Sequence, residues 1–132
     1  MSTYTAEIEV RFRDIDAMGH VNNAVYATYL EQARTRYFRD VLETDLSSVS
    51  TVLASLSLEF RRPIELADGS VIVEIDVPDL GRSSVPMTYE LRTSEELVAT
   101  AESTQVHVDP ETGEACPIPE ELRHRIRSYH GL

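Results

Sequence analysis

Between Arg13 and Tyr26 the chain reads Arg-Asp-Ile-Asp-Ala-Met-Gly-His-Val-Asn-Asn-Ala-Val-Tyr, gathering two carboxylates, an imidazole and two amides around one glycine. If a helix opens at Asn22 or Asn23, its first backbone N–H groups lack intrahelical acceptors and carry partial positive charge. They can then hold a carbonyl oxygen on which negative charge develops. A carboxylate a few residues upstream can face the same carbonyl and either attack it or deprotonate a water that does. Those are the two parts that acyl transfer requires. The same residues also have plainer uses: Asp14 can pair with Arg11 or Arg13, Asp16 can cap the loop before the helix, and His20 can hydrogen-bond a neighbouring loop. Further on, Glu31 and Arg34 stand at the three-residue spacing of a local helical ion pair.

The flanking patterns supply the frame. Residues 6–12 alternate, with Ile8, Val10 and Phe12 on one face and Glu7, Glu9 and Arg11 on the other, as in a half-buried strand. The segment from Asp14 to Asn23 loses that period and reads as a loop. From about Asn22, a candidate N-cap, to about Leu42 the period becomes helical. Tyr26, Tyr29, Leu30, Ala33, Tyr37 and Val41 form an apolar stripe opposite Thr28, Gln32, Arg36 and Arg39. Residues 43–51 are a polar connection. Strand alternation returns at Leu56, Leu58 and Phe60, at Val71 to Val77 after the Asp68-Gly69 turn, and at Val85 to Leu91, where Pro86 predicts an edge position, a bulge or a late start. A last strand covers roughly Leu97 to Val108 after a turn near Thr93–Glu96, and the tail from Asp109 ends in a short charged helix over 120–129. One strand, one long helix and then four strands in meander predict an antiparallel sheet wrapped around a single helix.

At 132 residues and 42% hydrophobic content, the chain suits a single domain spanning 1–132. Against 23 acidic residues stand 12 basic ones, all arginine, for a net charge of −11. Such a surface repels nucleic acid and anionic lipid, and its lack of lysine resembles proteins adapted to high salt. Cys116 is the only cysteine and no Cys/His cluster has zinc-site spacing. With no signal-like N-terminus and no run of about 18 apolar residues, the expectation is a cytoplasmic protein without membrane attachment.

The pattern Asp-x-Asp-x-x-Gly-His-Val-Asn-Asn-x-x-Tyr, with Glu31 and Arg34 following, resembles the signature of the 4-hydroxybenzoyl-CoA thioesterase family of hotdog proteins and of related acyl-ACP thioesterases. Leu58-Glu59-Phe60-Arg61-Arg62-Pro63 and Leu80-Gly81-Arg82-Ser83-Ser84 are similar to two further family segments, so the likeness covers a core of about 4–108 and leaves the tail, 109–132, outside it. It implies an α+β hotdog fold, a five-stranded antiparallel sheet around one long central helix. It also implies a homodimer joined edge to edge, with tetramers common, and hydrolysis of an acyl-CoA without metal or redox cofactor.

Carried over by position, the resemblance makes Asp16 the catalytic acid, as nucleophile or general base, and places the polarising backbone N–H at Asn23. His20 matches an assisting histidine of the acyl-ACP branch, from which the chain departs at Met18, where those enzymes carry asparagine. Glu31 corresponds to a helix acid that in some relatives faces the reacting carbonyl across the dimer. Tyr26, which closes the motif, is expected to contact the substrate. Arg61, Arg62, Arg82, Ser83 and Ser84 are expected to bind the CoA phosphates, with Arg123, Arg125 and Arg127 of the tail as competing cations. Two other functions share the scaffold. One is a module that binds acyl thioesters without turnover. The other is an enoyl-CoA hydratase, which resembles an Asp and His separated by about four residues, whereas Asp16 and His20 are separated by three.

Overall fold

The computed structural model describes residues 2–43, 50–94 and 96–132. In chain order these form β1 (Tyr4–Glu9), α1 (Asn23–Asp40), β2 (Thr51–Phe60), β3 (Ser70–Asp76), β4 (Ser84–Thr93), β5 (Glu96–His107) and α2 (Glu120–His130). The strands make one antiparallel sheet in the order β1-β3-β4-β5-β2. Only β3, β4 and β5 form a meander. The expected four-strand meander is corrected because β2 crosses over to pair with β5, leaving β1 and β2 as the two edges.

Alternation places one apolar row after another on the inner face. Tyr4 lies opposite Ile75, Ile75 opposite Tyr89, Tyr89 opposite Ala101, and Ala101 opposite Leu58. The next row runs Ala6, Val73, Leu91, Ala99, Phe60. α1 covers the β1 and β3 side with the buried stripe Tyr26, Tyr29, Leu30, Ala33, Tyr37 and Phe38. The inner face of β2 lies beyond the helix, so Leu53 and Phe60 stay exposed, while Val52 is exposed on the outer face.

Two departures have local causes. Phe12, expected to face inward, is exposed, because Asp14 accepts a hydrogen bond from the Arg11 N–H and turns residues Phe12–Asp14 into a single 3-10 turn. Pro86 sits in a central strand, but β3 meets β4 only from Thr88 onward, so β4 is locally an edge where proline occurs. The tail joins the core through buried Ile118, Ile126 and His130. Most of the connection expected over 43–51 lies outside the described residues.

Candidate functional site

The loop from Asp14 to Asn22 is held at both ends. Asp14, 3% exposed, accepts from the Tyr29 hydroxyl at 2.7 Å and from the Arg11 N–H at 2.9 Å, with the Arg11 guanidinium 3.6 Å away. Its backbone carbonyl accepts the Asn22 N–H at 2.9 Å, and the Val21 N–H reaches the Ile64 carbonyl at 2.7 Å. Burial, and then the Asp14 hydrogen bond, push the Tyr29 phenol far above its ordinary range, so it remains a donor. Asp14 therefore builds the loop.

Two residues on, Asp16 has different surroundings. One carboxylate oxygen, Oδ1, accepts from the backbone N–H of Met18 at 2.9 Å and of His20 at 3.2 Å. The loop-capping use of Asp16 is thus present, and Gly19 supplies the turn at φ +80°. The other oxygen, Oδ2, has no hydrogen-bond partner among the described residues. Asp16 lines a cleft of about 360 Å³ with Met18, His20, Val21, Asn23, Tyr26, Phe60, Arg61, Arg62 and Pro63.

The helix start faces the same cleft. Asn22 is the N-cap, and its side chain accepts from Ala24 N–H at 2.9 Å while its carbonyl accepts Val25 N–H at 2.8 Å. Asn23, the first helical residue, is left with an N–H that has no acceptor among the described residues, as the first turn of a helix requires unless something caps it. Behind it the buried Tyr26 ring packs edge-on against Phe60 with centroids 4.8 Å apart, and its hydroxyl lies 3.4 Å from the Arg62 carbonyl. Asp16, with a free carboxylate oxygen, and Asn23, with an unengaged N–H, therefore line one cleft whose wall includes Tyr26 and Phe60.

The remaining expected residues divide. Arg61 and Arg62 stand at the cleft, largely solvent-exposed, beside Glu59 and Glu96. Arg82, Ser83 and Ser84 lie at the opposite end of the sheet, where the Ser83 carbonyl accepts the His107 N–H and Thr51 pairs with His107. Glu31 is exposed about 12 Å along α1 from Asn23 and does not line the cleft of its own chain. Arg34 is no partner for it, since the guanidinium turns inward to the Tyr89 hydroxyl at 3.2 Å. Of the tail arginines, Arg123 donates to the carbonyls of Gly81 and Arg82, and Arg125 pairs with Glu43 and Glu121.

Sequence reasoning missed Tyr29 as the anchor of the loop and Phe60 as a wall of the cleft. Phe60 carried a signal: it ends the inward alternation Leu56, Leu58, Phe60, with no later strand residue to cover it. A larger depression, about 660 Å³, lies on the outer face of the sheet among Glu59, Glu74, Asp76, Glu90 and Glu102. Arg92 pairs with Glu74 and Glu90 there, and Arg61 with Glu59.

A family model for the thioesterase-like superfamily matches residues 10–126, running past Val108 into α2. The long-chain acyl-CoA thioesterase FadM of Escherichia coli (strain K12) is 30% identical over 128 residues, covering 91% of this chain and 94% of that protein. The 1,4-dihydroxy-2-naphthoyl-CoA hydrolase of Synechococcus elongatus is 25% identical over 129 residues, covering 93% of this chain and 94% of its own. Among solved structures, a thioesterase from Thermus thermophilus, complexed with coenzyme A and zinc, superposes with a TM-score of 0.87 at 37% identity over 97% of this chain and 94% of that one.

Proposed function

Because the chain belongs to the thioesterase-like superfamily, we propose that it hydrolyses an acyl-CoA, or a related acyl thioester, to the free acid and thiol at the cleft where α1 begins. The observation that carries this reading is that Asp16, with one carboxylate oxygen free, and Asn23, with its N–H unengaged, both line one aromatic-walled cleft. The thioester carbonyl oxygen accepts from Asn23 N–H, which stabilises the charge that builds as the carbonyl carbon is attacked. Asp16 either attacks that carbon itself, forming a mixed anhydride that water then hydrolyses to free acid and restored carboxylate, or takes a proton from the attacking water. The C–S bond then breaks and CoA leaves as thiolate. Water is the only co-substrate, so the chemistry requires neither metal nor redox cofactor. His20, on the same wall, assists proton movement.

The substrate's phosphates fall to arginines at the cleft mouth, and a second chain completes the set. β2 has one free ladder edge and several exposed apolar side chains. Antiparallel pairing of two β2 strands about a two-fold axis sets each chain's Phe60 end beside the other's Thr51 end. That brings Arg82, Ser83 and Ser84 of the second copy toward Arg61 and Arg62 of the first. The working unit is a homodimer, and two dimers can associate further. Among the described residues no helix is long and apolar enough to cross a membrane, and a lone cysteine suits a reducing cytoplasm.

FadM is named for long-chain acyl-CoA and the cyanobacterial relative for an aromatic naphthoyl-CoA. Kinship therefore supports the CoA end of the substrate more strongly than the acyl end. A panel of aliphatic and aromatic acyl-CoAs incubated with a thiol-reactive dye tests the reaction class. Release of free thiol is expected. Loss of enoyl absorbance without thiol would make the protein a hydratase, and binding without either signal would make it a carrier or sensor of acyl thioesters.

A further inference from the structure

Arg34 is 7% exposed, yet no carboxylate among the described residues lies within ion-pair distance of it. Its one internal acceptor is the Tyr89 hydroxyl, which in turn meets the Ser103 hydroxyl at 2.5 Å. Every fully buried side-chain nitrogen and oxygen among the described residues has a partner. The remaining guanidinium nitrogens of Arg34 must therefore reach the surface of the protomer. A charge this enclosed is costly without a counter-ion. One turn earlier on α1, Glu31 is exposed and has no cation beside it among the described residues.

The position of this unpaired couple on the fold indicates where its complement comes from. Ser103 lies directly opposite Leu56, near the middle of β2, so the Arg34–Tyr89–Ser103 chain reaches toward the centre of the bare edge. A two-fold axis through the middle of β2 would set the Arg34–Tyr89–Ser103 chains of the two copies on either side of it. In an antiparallel pair of helices about that axis, residues whose numbers sum to a constant face one another. Pairing position 31 with position 34 puts the axis between Gln32 and Ala33, and the midpoint of α1 falls between Glu31 and Gln32.

We propose that two copies of the chain complete each other's charge reciprocally, Glu31 of each pairing with Arg34 of the other, so that the buried arginine acquires its counter-ion only in the dimer. The inference rests on the homodimer described above and deepens it. It makes the central helix, and not only the strand edge, a determinant of assembly. It also gives Glu31 a counter-ion's task. Since Arg34 braces Tyr89 on the inner face of the sheet, assembly and core packing are coupled through one guanidinium.

The test uses two charge reversals, Glu31→Arg and Arg34→Glu, and sedimentation of each alone and of the two combined. Each variant alone sets like charges against one another at both contacts, and its dimer dissociation constant should rise at least about tenfold. Combined, one chain supplies Arg at both positions and the other Glu at both, so a mixed dimer regains two opposite-charge pairs. Recovery of a one-to-one dimer on mixing supports reciprocal pairing. Wild-type-like dimers from both variants alone, or no recovery on mixing, would overturn it. If Arg34→Glu is unstable by itself, co-expression of the two chains with different tags gives the mixed dimer directly, and Glu31→Arg alone still decides through its dissociation constant. A monomeric wild-type protein would instead refute the dimer, a result distinguishable from failure of the ion pair.

Discussion

At its C-terminal end α1 is enclosed. Tyr37 packs edge-on to Tyr4 with centroids 5.5 Å apart and stacks on His130 of α2 at 5.7 Å, and Tyr129 packs against Tyr4, Tyr37 and His130. The polar atoms there are matched. The Tyr4 hydroxyl donates to Asp40 at 2.6 Å. Since the Ser2 carbonyl can only accept, His130 presents Nδ1–H to it at 3.0 Å and leaves Nε2 to accept from the Tyr37 hydroxyl at 2.8 Å. At the N-terminal end, roughly 27 Å away, the helix has an unengaged N–H, a carboxylate with a free oxygen and a cleft. One helix thus carries stability at one end and unsatisfied valence at the other. An open helix start can be tolerated because the opposite end is sealed.

That contrast breaks most readily at Asp16. Asp16→Asn keeps a side-chain oxygen for the Met18 and His20 N–H groups, so the loop should persist while the negative charge is lost. A fall in kcat/KM of about 100-fold or more is expected, at least ~3 kcal/mol of transition-state stabilisation, with little change in melting temperature. A large drop in melting temperature with hydrolysis intact would mean that Asp16 only caps the loop.

The sealed end gives a smaller, pH-dependent effect. Burial lowers the His130 pKa below its usual value of about 6.5, against opposing contributions from the Ser2 carbonyl and from Asp76, whose carboxylate lies 4.0 Å away; the phenols of Tyr37 and Tyr129 pack against its ring. The unfolded chain then binds a proton more readily than the folded one. Stability is fully present above the unfolded pKa and is lost as pH falls through it toward the lower folded pKa. Melting curves between pH 7.5 and roughly pH 5 should show a decline, part of which disappears in His130→Phe. That variant should itself be destabilised at neutral pH by about 1–3 kcal/mol, since it strands the Tyr37 hydroxyl and the Ser2 carbonyl, but its hydrolysis rate should be unchanged.

The fold is legible in the sequence where local chemistry decides it. The helical stripe from Tyr26 to Val41, the inward alternation of β3 and β4, and the Asn22 cap follow from period and capping preference. The loop motif brings Asp16, His20, Asn23 and Tyr26 into one cleft. What the sequence withholds depends on long-range pairing. Strand signals say nothing about partners, so the crossing of β2 to β5 stays hidden, and with it the separation of Arg82, Ser83 and Ser84 from Arg61 and Arg62. Spacing alone makes Arg34 half of a surface pair with Glu31. Its position directly after Ala33 in the buried stripe is the sign that it turns inward.

The proposed hydrolysis at this cleft would depend on a single hydrogen atom, the amide proton of Asn23. Asn23→Pro deletes it at the one helical position where proline is well tolerated, and Asn22 already holds φ −59° and ψ 136°, the extended conformation that a following proline favours. Asn23→Ala is the control, because it removes the side chain and keeps the N–H. Near-normal thiol release is expected from Asn23→Ala, and a loss of about two orders of magnitude in kcat/KM from Asn23→Pro at unchanged melting temperature. A folded Asn23→Pro protein that hydrolyses acyl-CoA at the wild-type rate would show that this amide does not hold the reacting carbonyl.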